Sequence, residues 1–269
     1  MRGIRPRLRA GSVLAAALLL AGCAAQAEGA RDGAEDTTPA PASQELSGEL
    51  TVYAAASLAA AFDEIATRFE VLHPSLEVLP LISDGSSTLA TQLVEGAPAD
   101  VFASADEANM QKVVDAGLAS DPVVFATNTL VIVVPAGNPG GVKIIEDLAW
   151  PETEVVLCAP EVPCGAASLA LLDAQRVQVE PVSLEQSVTA VLTKVAAGEA
   201  DAGLVYATDL ARAEDVQAVA AEGAERIVNR YPIAPLGDAP NPAAAQAFAD
   251  FVAGEEGQAV LAEFGFGAP

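Results

Sequence analysis

Between residues 48 and 116 short β-forming runs alternate with amphipathic helical stretches, and this alternation restricts the fold more than any other feature of the sequence. Gly48 to Ala56 reads as a strand carrying Val52 and Tyr53. The helix after it repeats Leu58, Phe62, Ile65, Phe69 and Leu72 at steps of four and three, one apolar stripe for a sheet to cover. His73-Pro74 stops it. Leu76 to Ile82, Ser86 to Glu95, Asp100 to Ser104 and Asp106 to Ala116 continue as strand, helix, strand and helix. A parallel sheet with helices on its faces follows from that order.

Two β-rich runs then stand almost end to end, Val123 to Ala126 and Leu130 to Pro135, with Thr127-Asn128-Thr129 between them. A second α/β set follows: strand Glu154 to Ala159, helices Gly165 to Val177 and Glu185 to Ala197, strand Ala200 to Tyr206, and a short helix Thr208 to Ala213. Ile227 to Leu236 is extended, and two terminal helices start near Asn241 and Glu255. The expected architecture is α/β in two lobes, 48–127 with 229–269 and 128–228, joined by two hinge crossings near 126–130 and 227–232. No internal sequence repeat is visible.

The strand-to-helix junctions carry the chemistry. Val52-Tyr53-Ala54-Ala55-Ala56-Ser57-Leu58 and Ile82-Ser83-Asp84-Gly85-Ser86-Ser87-Thr88-Leu89 each break from a strand into a hydroxyl residue that opens a helix. A helix start offers unpaired N–H donors and partial positive charge, and a Ser there adds an O–H. Ordinary N-caps would look the same. In parallel sheets ligands sit beyond the carboxyl ends of the strands, where Ser57 and Ser86 both fall. The second lobe has Val162-Pro163-Cys164-Gly165 leading into a helix, Ser187-Val188 at a first helical turn, and Tyr206 ending a strand. None of these junctions holds Lys, Arg or His, so an anion there would be gripped by neutral dipoles. Asp100, Asp106 and Asp209 lie near strand ends and are expected to cap or to satisfy backbone donors. Trp150, before Pro151, is expected to pack.

The N-terminus reads as an export signal, with Arg2, Arg5, Arg7 and Arg9, then an apolar run Val13 to Ala21 too short to span a bilayer, then Leu20-Ala21-Gly22-Cys23. That tetrapeptide resembles the bacterial lipobox, so residues 1–22 are expected to be removed and Cys23 lipidated. Residues 23–47, rich in Ala, Gly, Pro, Thr, Ser and acids, are expected to form a disordered tether. Formal net charge is −24, and about −28 without the four signal arginines, which argues against a nucleic-acid partner. With Cys23 set aside, Cys158 and Cys164 remain; in an exported chain they suggest a disulfide, two free thiols or a metal pair being the alternatives. His73, the lone histidine, is far away in sequence, which disfavours the metal.

The chain resembles the molybdate-binding periplasmic proteins, solute receptors of bacterial ABC molybdate transporters with the type II periplasmic-binding-protein fold. The resemblance rests on Ala54-Ala55-Ala56-Ser57-Leu58, Ser86-Ser87-Thr88-Leu89-Ala90, Gly96-Ala97-Pro98-Ala99-Asp100, Val162-Pro163-Cys164-Gly165, Leu204-Val205-Tyr206-Ala207-Thr208-Asp209 and Phe264-Gly265-Phe266, in family order over residues 50 to 266. It implies that Ser57 and Ser86 give O–H and N–H donors, Cys164 and Val188 backbone N–H, and Tyr206 its phenol. Relatives often have Ala at the place of Cys164, an exchange that removes no backbone donor. A Cys158–Cys164 bridge would stiffen that loop.

So read, the protein is a lipid-anchored receptor on the outer face of the cell membrane for molybdate or tungstate, held as an oxyanion with no direct metal ligand and no cofactor. It is expected to be a monomer that serves an ABC permease with a separate ATPase subunit, because no Gly-x-x-x-x-Gly-Lys-Ser/Thr loop occurs. The alternatives are a receptor of the same fold for sulfate, thiosulfate or another small anion, or an enzyme acting on small acids. An amino-acid receptor would want an Arg fork, and an enzyme a nucleophile with its base; neither pattern is present.

Overall fold

A computed structural model describes residues 45–210 and 213–269. The export signal and Cys23 lie outside the described residues, as do Ala211 and Arg212, on which part of the short helix expected over Thr208 to Ala213 falls. Along the chain run β1 (Ser47–Leu50), β2 (Val52–Ala55), α1 (Ala59–Leu72), β3 (Ser75–Val78), β4 (Ile82–Asp84), α2 (Ser86–Val94), β5 (Val101–Ala103) and α3 (Glu107–Asp115). Next come β6 (Val123–Asn128), β7 (Leu130–Pro135), β8 (Val155–Cys158), α4 (Pro163–Gln175), β9 (Ser183–Glu185), α5 (Val188–Ala196), β10 (Ala202–Tyr206) and β11 (Val216–Val219). The chain closes with β12 (Asn229–Pro235), α6 (Pro242–Ala253) and α7 (Glu255–Glu263).

Two five-stranded sheets result. The first has the order β4-β2-β5-β12-β6, the second β9-β8-β10-β7-β11. In each, three parallel strands are followed by one antiparallel strand, β12 or β7, and then by an edge strand antiparallel to it. The antiparallel strand is in both cases the one that has just crossed from the other lobe. The two lobes thus share a strand order that no sequence repeat announces. Beside the first sheet, β1 pairs in parallel with β3.

Packing explains the elements. Phe62 and Phe69 of α1 are buried against Phe248 of α6, and Phe69 also meets Phe251. The stripe ends there, because Leu72, in the last turn, is 51 % exposed. The second lobe has its own core around Ile132, Leu171, Val191 and Leu204.

Some local expectations are corrected. Leu76 to Ile82 is broken into β3 and β4 around Pro80, which has no N–H to give a ladder. Glu185 ends β9 rather than opening a helix; α5 starts three residues later at Val188, behind the N-cap Ser187, whose hydroxyl accepts from the Ala190 amide. The edge strand β11 was not expected. Trp150 is 43 % exposed. Glu45 to Ser47 are already structured: Leu46 packs on the core, Glu45 accepts from the Ser75 hydroxyl, and Ser47 pairs with Ser75.

Asp100 ties the first lobe together. Its carboxylate, 1 % exposed as a residue, accepts from the Thr51 amide at 2.8 Å and the Asn241 amide at 2.6 Å, joining β2 to the start of α6. Asp106 caps α3 through the Asn109 amide. Replacing Asp100 by Ala leaves two part-buried amides unpaired and is expected to cost about 2–4 kcal/mol in urea unfolding. A loss under about 0.5 kcal/mol would refute this role.

Candidate functional site

Four helix starts meet at one place. The 3₁₀ turn Ala56–Leu58 that leads into α1, and α2, come from the first lobe; α4 and α5 come from the second. Between them lies a small cavity lined by Ser57, Ser86, Cys164, Val188 and Tyr206, together with Gly85 and Ala105. All five residues singled out in the sequence therefore face a common space. Among the described residues that line it there is no Lys, Arg or His.

Local sequence explains each wall. Pro163 sits in the first turn of α4, where its missing N–H costs nothing, and leaves the Cys164 and Gly165 amides ahead of the first intrahelical bond, Ala166 N–H to Val162 O. Gly165 must lack a side chain, since a Cβ there would collide with the Ala159 carbonyl. Cys158 and Cys164 are joined by a disulfide that spans the loop between β8 and α4. The Ser187 cap holds Val188 at the first position of α5.

The hydroxyls are bound from behind. The Ser86 hydroxyl accepts from the Ala105 amide at 3.0 Å. Ser57 and Tyr231 share a hydrogen bond of 3.0 Å. Asn229 donates to the Tyr206 phenol at 2.8 Å and to the Ala105 carbonyl at 3.0 Å. Asn128 donates to the Thr208 hydroxyl at 2.8 Å and the Tyr231 phenol at 3.4 Å, and accepts from the Thr129 amide. The two asparagines are direct register partners across β12 and β6, one on each crossing.

Burial pushes the Tyr206 and Tyr231 phenols well above the ordinary value, so both keep their protons. Asp209 accepts from the Tyr206 amide at 2.9 Å, yet desolvation outweighs that bond and lifts its carboxyl to about 7. Desolvation also raises Asp106.

Asn128, Asn229 and Tyr231 escaped the sequence reading. Their partners lie up to 174 residues away, as in Ser57–Tyr231, and no local pattern marks such pairs. The position of Asn128 between two β-runs was the one available signal.

The cleft is shut. Asn109 reaches the Glu161 carbonyl across it at 3.4 Å, and Gly85 lies so close to Gln186 that a Cβ would strike its carbonyl oxygen. Gly85 has an ordinary φ of −58°, so only this contact excludes a side chain. Two α/β lobes that shut on a small cavity walled by helix starts and hydroxyls define a two-lobed solute-binding protein.

The chain belongs to a known family: it matches the bacterial extracellular solute-binding proteins over residues 50–267. It is a solute receptor by that membership, not an enzyme. It is similar to the molybdate-binding protein ModA of Mycobacterium tuberculosis, with 47 % identity over 222 residues that cover 82 % of this chain and 85 % of the relative. ModA of Escherichia coli is 33 % identical over 233 residues, covering 81 % and 89 %. Among solved structures, the periplasmic molybdate-binding protein of Azotobacter vinelandii superposes with a TM-score of 0.67 at 22 % identity, covering 82 % of this chain and 99 % of that one. The sulfate-binding protein SubI of Mycobacterium tuberculosis does so with 0.70 at 21 %, covering 81 % and 86 %. These two likenesses show the fold alone.

Gly85→Ala is expected to hold the lobes apart at a cost to closure of about 1–3 kcal/mol, the usual penalty of overpacking, with little effect on unfolding. Small-angle scattering should give a larger radius of gyration than wild type has when shut. An unchanged radius would contradict the contact.

Proposed function

We propose that this protein is the extracytoplasmic receptor of an ABC transporter for molybdate, with tungstate as a second ligand. One observation carries the reading: donors from both lobes and, among the described residues, no cation line a single small cavity. Ser57 and Ser86 give O–H and N–H, Cys164 and Val188 give N–H, and Tyr206 gives its phenol. Hydrogen bonds to a charged partner contribute roughly 1.5–3 kcal/mol each, and several together can offset the dehydration of a dianion and the ordering of the lobes. Molybdate, tungstate and sulfate are fully ionised tetrahedra and suit a cage of donors; hydrogen phosphate brings a proton that finds no acceptor. The names of the mycobacterial and enterobacterial relatives support molybdate.

Closure of the lobes 48–127 with 229–269 over 128–228 is what the permease reads, since a ligand shifts that balance only by preferring one state. The permease works with a separate ATPase subunit. Residues 1–22 are removed, Cys23 carries the lipid, and the tether lets a monomeric receptor range over the extracytoplasmic face of the cell membrane.

Ser86→Ala and Tyr206→Phe are each expected to weaken molybdate binding by about 1–3 kcal/mol while the protein stays folded. Calorimetry with unchanged affinity in both would defeat the site assignment. In thermal shift, molybdate and tungstate should raise the melting point most, sulfate less and phosphate least. A larger rise with sulfate would turn the reading to a sulfate receptor.

A further inference from the structure

We propose that Asn128 and Asn229, one on each crossing, are positioning residues that decide which way the Ser57 and Tyr206 protons point, making both hydroxyls one-way donors to the bound anion. The inference rests on the oxyanion-receptor reading above.

The amide orientations are fixed by backbone groups. The Ala105 carbonyl can only accept, so the atom 3.0 Å from it is Nδ2 of Asn229, and the second hydrogen of that nitrogen meets the Tyr206 oxygen at 2.8 Å. The Tyr206 proton is thereby turned away from Asn229 and toward the cavity side, where the Tyr231 phenol is its neighbour. The Thr129 amide can only donate, so Oδ1 of Asn128 faces it and Nδ2 faces Thr208 and Tyr231. Tyr231 is fully buried, and a buried phenol keeps its proton hydrogen-bonded. With Asn128 donating to it, its proton goes to the Ser57 oxygen at 3.0 Å, which frees the Ser57 proton for the anion.

The Ala105 amide commits Ser86 in the same way. Each of the three hydroxyls thus receives a hydrogen bond from the protein, which leaves its proton to be offered inward. Each asparagine also spans the lobes, Asn229 from Ala105 to Tyr206 and Asn128 from Tyr231 to Thr208, so donor polarity is set as the cleft shuts.

The decisive variant is Asn128→Asp, isosteric but an acceptor. Thr208 and Tyr231 would both turn their protons to it, Ser57 would donate to Tyr231, and only lone pairs would face the ligand. Calorimetry of the full folded chain is expected to show molybdate bound about tenfold or more weakly. Phosphate, in competition with molybdate, should lose much less or gain. The double variant Asn128→Asp with Tyr231→Phe breaks the relay and should bind molybdate as Tyr231→Phe alone does. A charge or folding effect of the new carboxylate would persist in the double variant and would overturn the inference.

Asn229→Asp and Tyr206→Phe should likewise be non-additive for molybdate. If Asn128→Asp fails to fold, Tyr231→Phe alone decides: Ser57 is then free to accept, and phosphate must compete better, relative to molybdate, than against wild type. An unchanged ratio overturns the inference. Wild type that binds none of molybdate, tungstate and sulfate would instead defeat the receptor reading itself.

Discussion

A backbone amide taken out of water needs an acceptor, and this fold gathers the first amides of several helices around one small space. The first amides of a helix have no intrahelical carbonyl. In most proteins water or a capping side chain serves them. Here the starts of α2, α4 and α5 and the turn before α1 are brought together by two sheets whose strands end at the cleft. The strand order sets where those helix starts fall, and Gly85 and Gly165 allow the close approaches beside them.

That arrangement reconciles an acidic chain with an anionic ligand. A formal charge of −24 repels anions only weakly beyond about 8–10 Å at physiological salt, whereas the cavity's donors act at contact. The carboxyls of Asp106 and Asp209 are lifted by desolvation, and their caps and backbone bonds occupy their oxygens. Local dipoles decide the site, and the net charge is left to govern solubility and non-specific contacts.

Much of this was written locally and could be read. Ser57 and Ser86 stand out because a hydroxyl after an apolar run is both a cap and a donor, and the crossing at Thr127-Asn128-Thr129 shows as a polar break between two β-runs. Edge strands were harder: β9 and β11 have three and four residues with little apolar periodicity, and their pairing partners alone define them. The support behind the hydroxyls was illegible for a different reason. Asn229, Tyr231 and Asn128 matter through hydrogen bonds that close over long stretches of chain, and an Asn beside a strand looks like any turn residue until its partner is in place.

The exchange of strands between lobes also fixes an order of completion. All five strands of the second sheet lie between Leu130 and Val219, one uninterrupted stretch. The first sheet instead has a gap between β5 and β6 until β12 arrives, after the whole second lobe has been made. As the polypeptide emerges, the lobe begun first is therefore the one finished last, and Asn229 and Tyr231 come with the strand that finishes it.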